Sequence, residues 1–329
     1  MARSPVTRST RPSRPAADGT PRAPGAVDVS GLGGREPCPC GSGRRVKACH
    51  GRADHRGPAF VARPFEGLAG EADWVALAEL VPAATAPLRL RTPDGERDAT
   101  LATILPLGWP AMARSDGGVF VAAQGTGGSG DASAALAVSL LDACAAPAGT
   151  PVPRVGLPGL GAPRLQDVLV DTGPLAVTVH DGFGFWVEGV AEADDEEVAA
   201  SLERASAATV PTVRLASVTA AYWGRLAGRD SLRWVLDGPE EPTLDALARL
   251  HGGGGLPLRP GDRFIGTVRA HGLLVAVWDL PERTEAEQLE DPAAAFAARL
   301  GDALAAGAPL SDEQRHARAG LTTRQITLR

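Results

Sequence analysis

Residues 264–280 have the sequence FIGTVRAHGLLVAVWDL, in which the pair His271-Gly272 separates two runs rich in Val, Leu, Ile and Trp. Such a pair supplies the positive φ angles that a two-residue hairpin turn requires, and glycine adopts them without steric cost. The stretch therefore predicts two antiparallel strands joined by a tight turn.

Three other segments place a turn between apolar runs. The clearest hairpin is predicted at residues 175–190, LAVTVHDGFGFWVEGV, around an Asp-Gly pair. Thr92-Pro-Asp-Gly95 and Asp116-Gly117 mark two more turns. Because Asp-Gly favours the turns that join neighbouring antiparallel strands, these segments predict mainly antiparallel sheets.

Helical spacing of apolar residues follows these strands. Residues 71–80 place Trp74 and Leu77 on one face, and residues 131–146 begin at Asp131, an acceptor that can cap a helix. In the second helix Cys144 shares a face with leucines, so we expect a core thiol rather than a catalytic one.

Two further helices are predicted in the second half of the chain. Residues 194–208 begin in an acidic run, which favours the positive end of a helix dipole. Asp291-Pro292 combines a capping acceptor with a proline at the first helical position. That helix is expected to bury Phe296, Leu300 and Leu304.

A cysteine-rich segment precedes the strands and helices. Residues 35–51 have the sequence REPCPCGSGRRVKACHG. Cys38, Cys40, Cys49 and His50 supply three thiolates and one imidazole, the donors that a tetrahedral structural Zn²⁺ requires. His55 is an alternative fourth ligand. Redox-active or disulfide-forming cysteines and a catalytic zinc ion are the competing interpretations.

The spacing C-x-C-x8-C-H with the inner sequence PCPCGSG resembles the SEC-C motif, a small zinc-binding element at the C-terminus of the SecA protein-export ATPase. The resemblance implies zinc ligation by the four residues named above. It also implies contact with an export chaperone, a ribosome or an acidic phospholipid surface. Val46 departs from the pattern, since an aromatic residue is usual there.

The body of the chain is also similar to an uncharacterised bacterial family that carries a SEC-C motif near its N-terminus. The similar stretches are Arg63-Pro-Phe-Glu-Gly, Asp73-Trp-Val-Ala-Leu, Leu232-Arg-Trp-Val and Val277-Trp-Asp-Leu-Pro. This resemblance implies a shared fold and no known activity.

Charge is distributed unevenly along the chain. Residues 1–57 carry 11 Lys or Arg and 4 acidic residues, a net +7, whereas the remainder has a net −13 within the total of −6. Such a basic arm is predicted to contact nucleic acid, a ribosome, an anionic membrane or the acidic body. The alternative is a solvated tail without a partner. The clustered cysteines, with neither an apolar signal segment nor a membrane span, predict a cytoplasmic protein.

Lys47 lies in the cysteine-rich segment and is the only lysine in the chain. Phosphate-binding P-loops, protein kinases and pyridoxal enzymes all need a lysine, so none of these sites can be built in the body, and no nucleotide ligand is expected. The glycine runs at 125–130 and 252–255 are predicted to be a connection and a helix end.

These patterns predict an α+β fold of two related halves with antiparallel strands and flanking helices, preceded by a small zinc knuckle on a disordered arm. The predicted segments are a basic arm at 1–30, a zinc motif at 31–57, a first half at 58–150 and a second half at 165–329. The sequence TAPLRL at 85–90 is similar to TGPLAV at 172–177, which suggests that the two halves are related.

Because no reactive constellation is visible, we expect a non-enzymatic adaptor that binds a protein partner through the basic knuckle. A ribosome- or RNA-associated protein is one alternative. A hydrolytic enzyme with a carboxylate or zinc-dependent site in the α+β body is the other.

Overall fold

The computed structural model describes residues 33, 35–39, 44–48, 60–125, 129–152, 158–159, 161–170, 173–189 and 196–323. The chain forms two compact units, Met1–Gly57 and Pro58–Arg329. The predicted arm at 1–30 lies outside the described residues.

The first sheet of the larger unit has six strands. They are β1 (Ala84–Thr92), β2 (Gly95–Ala102), β3 (Ala111–Ala113), β4 (Val119–Ala122), β5 (Thr150–Val152) and β6 (Thr178–Val179). Their order in the sheet is β5-β3-β4-β2-β1-β6, and only the β2–β4 pair is parallel. The turns predicted at Gly95 and Asp116-Gly117 join β1 to β2 and β3 to β4, as expected.

The second sheet has five strands and is antiparallel throughout. They are β7 (Thr212–Arg214), β8 (Ala221–Leu226), β9 (Arg229–Leu236), β10 (Arg263–Ala270) and β11 (Leu273–Asp279), in the order β10-β11-β9-β8-β7. The predicted hairpin at 264–280 is confirmed: His271 and Gly272 have φ angles of 45° and 82° and connect β10 to β11.

Seven α-helices accompany the sheets in the described part of the chain. They are α1 (Glu71–Glu79), α2 (Ala132–Ala145), α3 (Leu165–Val168), α4 (Glu196–Ala207), α5 (Glu240–Gly252), α6 (Glu290–Ala305) and α7 (Asp312–Thr323). The capping prediction for α2 is confirmed, because the Asp131 carboxylate accepts a hydrogen bond from the Ala134 N–H at 3.2 Å. The α+β prediction, with two mainly antiparallel sheets and flanking helices, is confirmed.

The second sheet separates two apolar cores. Side chains alternate along β9, so Val235 faces the core that contains α1, α2 and the first sheet, whereas Leu232 and Trp234 face the opposite core. That opposite core is closed by α5, α6 and α7 through residues such as Leu244 and Phe296. Burial on both faces explains why the strands of this sheet are rich in apolar residues.

The hairpin prediction at 175–190 is wrong. The described part of this segment contains only the two-residue strand β6, followed by a 3-10 turn at Gly184–Trp186. Phe183 and Trp186 are both buried in one aromatic cluster, with ring centroids 4.8 Å apart. Residues three apart point to opposite faces of a strand but to one face of a helical turn, so burial of both selects the turn.

The predictions for α6 are correct in part. Phe296 and Leu300 are buried, but Leu304 is 40% exposed and Ala303 takes the next buried position. The helix begins at Glu290, so Asp291 lies in the first turn and does not cap it. A helical period of 3.6 residues brings position 303 back to the buried face more closely than position 304.

The structure places the beginning of the predicted second half, at 165–329, partly with the first sheet. Strand β6 pairs with β1, and Leu169 forms an isolated antiparallel bridge with Leu90. Of the two similar segments, 85–90 lies in β1, whereas residues 173–177 belong to no strand. The domain boundaries and the relatedness of the halves stay predictions.

Candidate functional site

The cysteine-rich unit is closed by a short two-stranded bridge. The N–H of Cys38 donates to the carbonyl of Arg44 at 2.7 Å, and the N–H of Val46 donates to the carbonyl of Glu36 at 2.8 Å. Pro37 and Arg45 form the antiparallel bridge between these two bonds. The backbone therefore reverses direction between Cys38 and Arg44.

Cys38 and Val46 form the interior of the described part of this unit, with exposed fractions of 5% and 4%. The position at which an aromatic residue is usual is therefore an interior position in this chain. A buried thiol next to a tight backbone reversal suits a metal ligand, because backbone amides in such turns can be directed at the sulfur.

The other predicted ligands, Cys40, Cys49 and His50, lie outside the described residues, as does the alternative ligand His55. Within the described ranges, no group of three or more His, Cys, Asp or Glu side chains is arranged to hold a metal ion. The donor set of three thiolates and one imidazole suits Zn²⁺. The four-ligand site stays a prediction.

The surface of the described knuckle is basic. Arg35, Arg44, Arg45 and Lys47 are all exposed, and Glu36 is the one acidic residue among positions 33, 35–39 and 44–48. Four cations against one carboxylate produce a local positive potential that attracts acidic surfaces.

In the larger unit, the carboxylate of Asp73, at the first turn of α1, is almost fully buried, with 1% of the side chain exposed. Arg214 on β7 contacts it at 3.2 Å, and the hydroxyl of Tyr222 on β8 donates to it at 3.2 Å. Burial raises the pKa of Asp73, although the charge and hydrogen bonds of Arg214 and the hydrogen bond of Tyr222 oppose this. Burial, followed by the Asp73 charge, raises the pKa of Tyr222. This cluster fastens α1 to the second sheet.

Two other buried carboxylates also form ion pairs with arginine. Arg225 Nε lies 2.6 Å from Asp230, which also accepts from the Thr284 N–H at 3.0 Å. Asp262 accepts from both the N–H and the side chain of Arg259. Because their oxygens accept hydrogen bonds from internal donors, these carboxylates stabilise the backbone around them and are not open acid–base groups.

The closest approach to a nucleophile and base in the described body is the pair Thr85 and His180. The Thr85 hydroxyl lies 2.8 Å from His180 Nε2, and the imidazole contacts the Phe185 ring. Burial lowers the pKa of His180 and so favours the neutral imidazole, although the Glu188 and Asp181 charges oppose this. The pair was missed from the sequence because the β1–β6 pairing joins positions 95 residues apart.

A shallow cavity of about 500 Å³ adjoins this histidine and is lined by Ser206 and Glu188 among others. The Ser206 hydroxyl accepts a hydrogen bond from the Phe183 N–H at 3.5 Å. A hydroxyl beside an imidazole is the first part of a catalytic triad, but among the described residues no third group is found that orients the imidazole.

Cys144 is a core thiol and the glycine run at 252–255 ends a helix, as the sequence predicts. The Cys144 side chain packs against the core, and burial raises the pKa of its thiol. The N–H groups of Gly253, Gly254 and Gly255 donate to carbonyls of residues 249–251 at the end of α5. These amides end a helix and are not available to an oxyanion. In the first glycine run, residues 126–128 lie outside the described residues.

Within the residues that the structure describes, no helix combines the length and the apolar character needed to cross a bilayer.

The fold and the site define an α+β protein with a basic, cysteine-containing knuckle and a two-sheet body. The family of unknown function DUF5926 matches residues 64–329, and the SEC-C motif matches residues 35–52. The chain therefore belongs to this family of unknown function and carries a SEC-C motif, so both resemblances inferred from the sequence are confirmed. No curated protein and no solved structure matches the chain.

Proposed function

We propose that this protein is a non-enzymatic adaptor of the cytoplasm whose knuckle, folded around one Zn²⁺, binds an acidic surface on a protein partner. The observation that supports it most directly is the exposure of Arg35, Arg44, Arg45 and Lys47 on a unit in whose described part Cys38 and Val46 are the buried side chains. Short backbone hydrogen bonds hold these cations in a defined arrangement.

Zinc supplies structural stability in this proposal and takes part in no reaction. Cys38, Cys40, Cys49 and His50 would hold it, and binding energy of such a site becomes folding energy of the loop. The ordered loop then presents its cations at lower entropic cost than a free basic tail would.

A protein-export component is the first partner class to test, because the SEC-C motif also occurs in the export ATPase SecA. An RNA or ribosome contact is the alternative. Basic groups that neutralise phosphates release counterions, so RNA binding would weaken steeply with salt. A hydrolytic enzyme with its site at Thr85 and His180 is a third candidate, favoured by their 2.8 Å contact.

The test is affinity capture with the full chain from a bacterial lysate, comparing three proteins. The first is wild type, and the second carries Arg44→Ala, Arg45→Ala and Lys47→Ala, which leave the zinc donors intact. The third is a matched control with three exposed body arginines replaced, at Arg89, Arg229 and Arg263. We expect one defined acidic protein to be captured by wild type and by the control, but not by the knuckle variant.

Capture must survive ribonuclease treatment. Loss of the captured material after ribonuclease would favour the RNA alternative, and equal capture by the knuckle variant would remove the recognition role of this surface. Measuring bound zinc on all three proteins separates loss of the cations from loss of the fold. A hydrolase would instead lose activity on a chromogenic ester in a His180→Ala variant.

A further inference from the structure

With one exception, the partly buried arginines considered in the larger unit donate hydrogen bonds to carboxylates or to backbone carbonyls. Five of them contact carboxylates, in the pairs Arg63–Glu71, Arg114–Asp116, Arg214–Asp73, Arg225–Asp230 and Arg259–Asp262. Others, such as Arg97 and Arg249, donate to backbone carbonyls. In these cases an acceptor of the protein replaces the hydrogen bonds to water that the guanidinium loses on burial.

Arg233, on the central strand β9, is the exception. It is partly buried, yet among the described residues it has neither an ion pair nor a hydrogen-bond partner. Burial lowers the pKa of Arg233, and in the part of the chain that the structure describes no acidic side chain offsets that burial. A guanidinium that has lost part of its hydration without gaining a counter-charge is a costly feature to keep in a folded protein.

The Arg233 side chain lines a cavity of about 230 Å³. Tyr222, its cross-strand neighbour on β8, lines the same space, as do Thr212 on β7 and Ser231 on β9. The remaining wall is largely apolar and includes Leu80, Pro82, Val210 and Leu226. The cavity thus combines one cation with a mostly apolar wall.

The hydroxyl groups of this wall already donate elsewhere. Tyr222 donates to Asp73 at 3.2 Å, Thr212 to the carbonyl of Val210 at 2.8 Å, and Ser231 to the carbonyl of Gly224 at 3.4 Å. The Asp73 charge is in turn paired with Arg214. Trp223 also lines the cavity and its indole N–H has no described partner, but its ring belongs to the core on the other face of the sheet. Among the described lining side chains on the Tyr222 face, Arg233 is therefore the one with donors to spare, and a ligand that satisfies them is an acceptor.

We propose that this cavity binds a small apolar monocarboxylate, with its carboxylate on the guanidinium of Arg233 and its hydrocarbon part against Leu80, Pro82 and Leu226. A carboxylate can accept two parallel hydrogen bonds from guanidinium, and a single cation matches a single negative charge. The volume corresponds to about eight water molecules, which limits the ligand to about ten non-hydrogen atoms.

The experiment is a thermal unfolding titration of the full chain at constant ionic strength, with four probes. Butyrate and benzoate carry the proposed group, butanamide is a neutral match to butyrate, and inorganic phosphate is an anion without a hydrocarbon part. We expect the two carboxylates to raise the unfolding midpoint in proportion to the logarithm of their concentration. Butanamide and phosphate are expected to leave it unchanged.

Arg233→Met should abolish the carboxylate-dependent shift, with a dissociation constant for benzoate at least tenfold weaker. Arg229→Met, on the same strand but with a side chain 73% exposed, should keep the wild-type response. Without ligand, the Arg233→Met protein should unfold at or above the wild-type midpoint, because an unpaired buried charge has been removed.

Equal shifts by butyrate and butanamide, or by phosphate and benzoate, would overturn the proposal on the wild-type chain alone, whether or not the variant folds. Retention of the benzoate shift in Arg233→Met would overturn it as well. A Cys38→Ser, Cys40→Ser variant should respond to benzoate as wild type does, because every residue of the cavity belongs to the larger unit. The benzoate titration therefore tests the cavity independently of the proposed adaptor function.

Discussion

Arg214 lies 3.2 Å from Oδ2 of Asp73 and so joins β7 to the first turn of α1, although the residues are 141 positions apart. The Asp73 side chain is 1% exposed, whereas that of Arg214 is 29% exposed, so the carboxylate depends on this contact and on the hydroxyl of Tyr222. The cluster fastens a helix of one core to a strand of the second sheet.

Asp73→Ala should lower the free energy of unfolding by about 2–4 kcal/mol, because it leaves Arg214 and Tyr222 without their acceptor. Asp73→Asn should lower it less, since the amide keeps an acceptor and removes the buried charge. Urea unfolding of both variants measures the difference. The control is Asp98→Ala, where the carboxylate is 82% exposed and the expected change is below about 1 kcal/mol. Equal losses for Asp73→Ala and Asp98→Ala would contradict the role of the cluster.

Gly272→Ala should destabilise the body by about 2–4 kcal/mol. Its φ is +82°, and an added Cβ would lie 2.7 Å from Cβ of Arg63 and 2.9 Å from the carbonyl oxygen of Ala62. Gly117→Ala is a matched control, with a φ of +86° and nothing within 4 Å of the added Cβ. Gly117→Ala should lower the free energy of unfolding by only about 1 kcal/mol, because alanine disfavours a positive φ. Denaturant unfolding midpoints should separate the two variants clearly; equal midpoints would show that the contact with Arg63 is unimportant.

Glu290 should contribute stability that depends on pH. Burial opposes ionisation, but hydrogen bonds from the N–H groups of Ala216 and Ser217 outweigh it and lower the pKa of Glu290. A carboxyl with a depressed folded-state pKa stabilises the fold above its unfolded pKa, and this contribution is lost as pH falls through the folded value. Glu290→Gln should therefore cost about 1 kcal/mol at pH 7. The difference from wild type should shrink as the pH falls below the ordinary glutamate pKa and through the lower folded-state pKa. A difference that is constant from pH 7 to 3 would exclude this linkage.

Metal removal should affect the knuckle and spare the body. We expect one zinc ion per chain in purified, reduced protein, and none in a Cys38→Ser, Cys40→Ser variant, because two of the four thiolate and imidazole donors are gone. The main unfolding transition should be unchanged in that variant, since the body has its own apolar cores. Elemental analysis and calorimetry measure the two quantities. A protein without stoichiometric zinc would remove the basis of the proposed recognition surface.

Local features were predictable because their causes lie within a few residues. The hairpin turn at His271-Gly272 follows from the backbone freedom of glycine, and the cap at Asp131 follows from one acceptor placed before a helical run. The burial of Trp234 and Trp278 follows from their apolar strands. The motif in residues 35–52 was recognisable for the same reason, since its ligand spacing is local.

The prediction failed where packing over long distances chose between local alternatives. Phe183 and Trp186 prefer a strand by composition, but the aromatic cluster around Trp186, whose Nε1 donates to the carbonyl of Ile104 at 2.9 Å, selected a turn. The contact of Thr85 with His180 arises from pairing between distant strands and has no signature in either segment.

The sequence by itself determined the α+β class, three of the four predicted turns, most helices and the SEC-C motif, because these depend on periodicity and on short-range backbone chemistry. Only the tertiary structure decided which charges lose water and which partners they gain. It placed Asp73 against Arg214, and it left Arg233 beside a cavity whose described lining residues include no carboxylate. Burial and pairing depend on strand order and sheet packing, and these bring together residues that no local pattern connects.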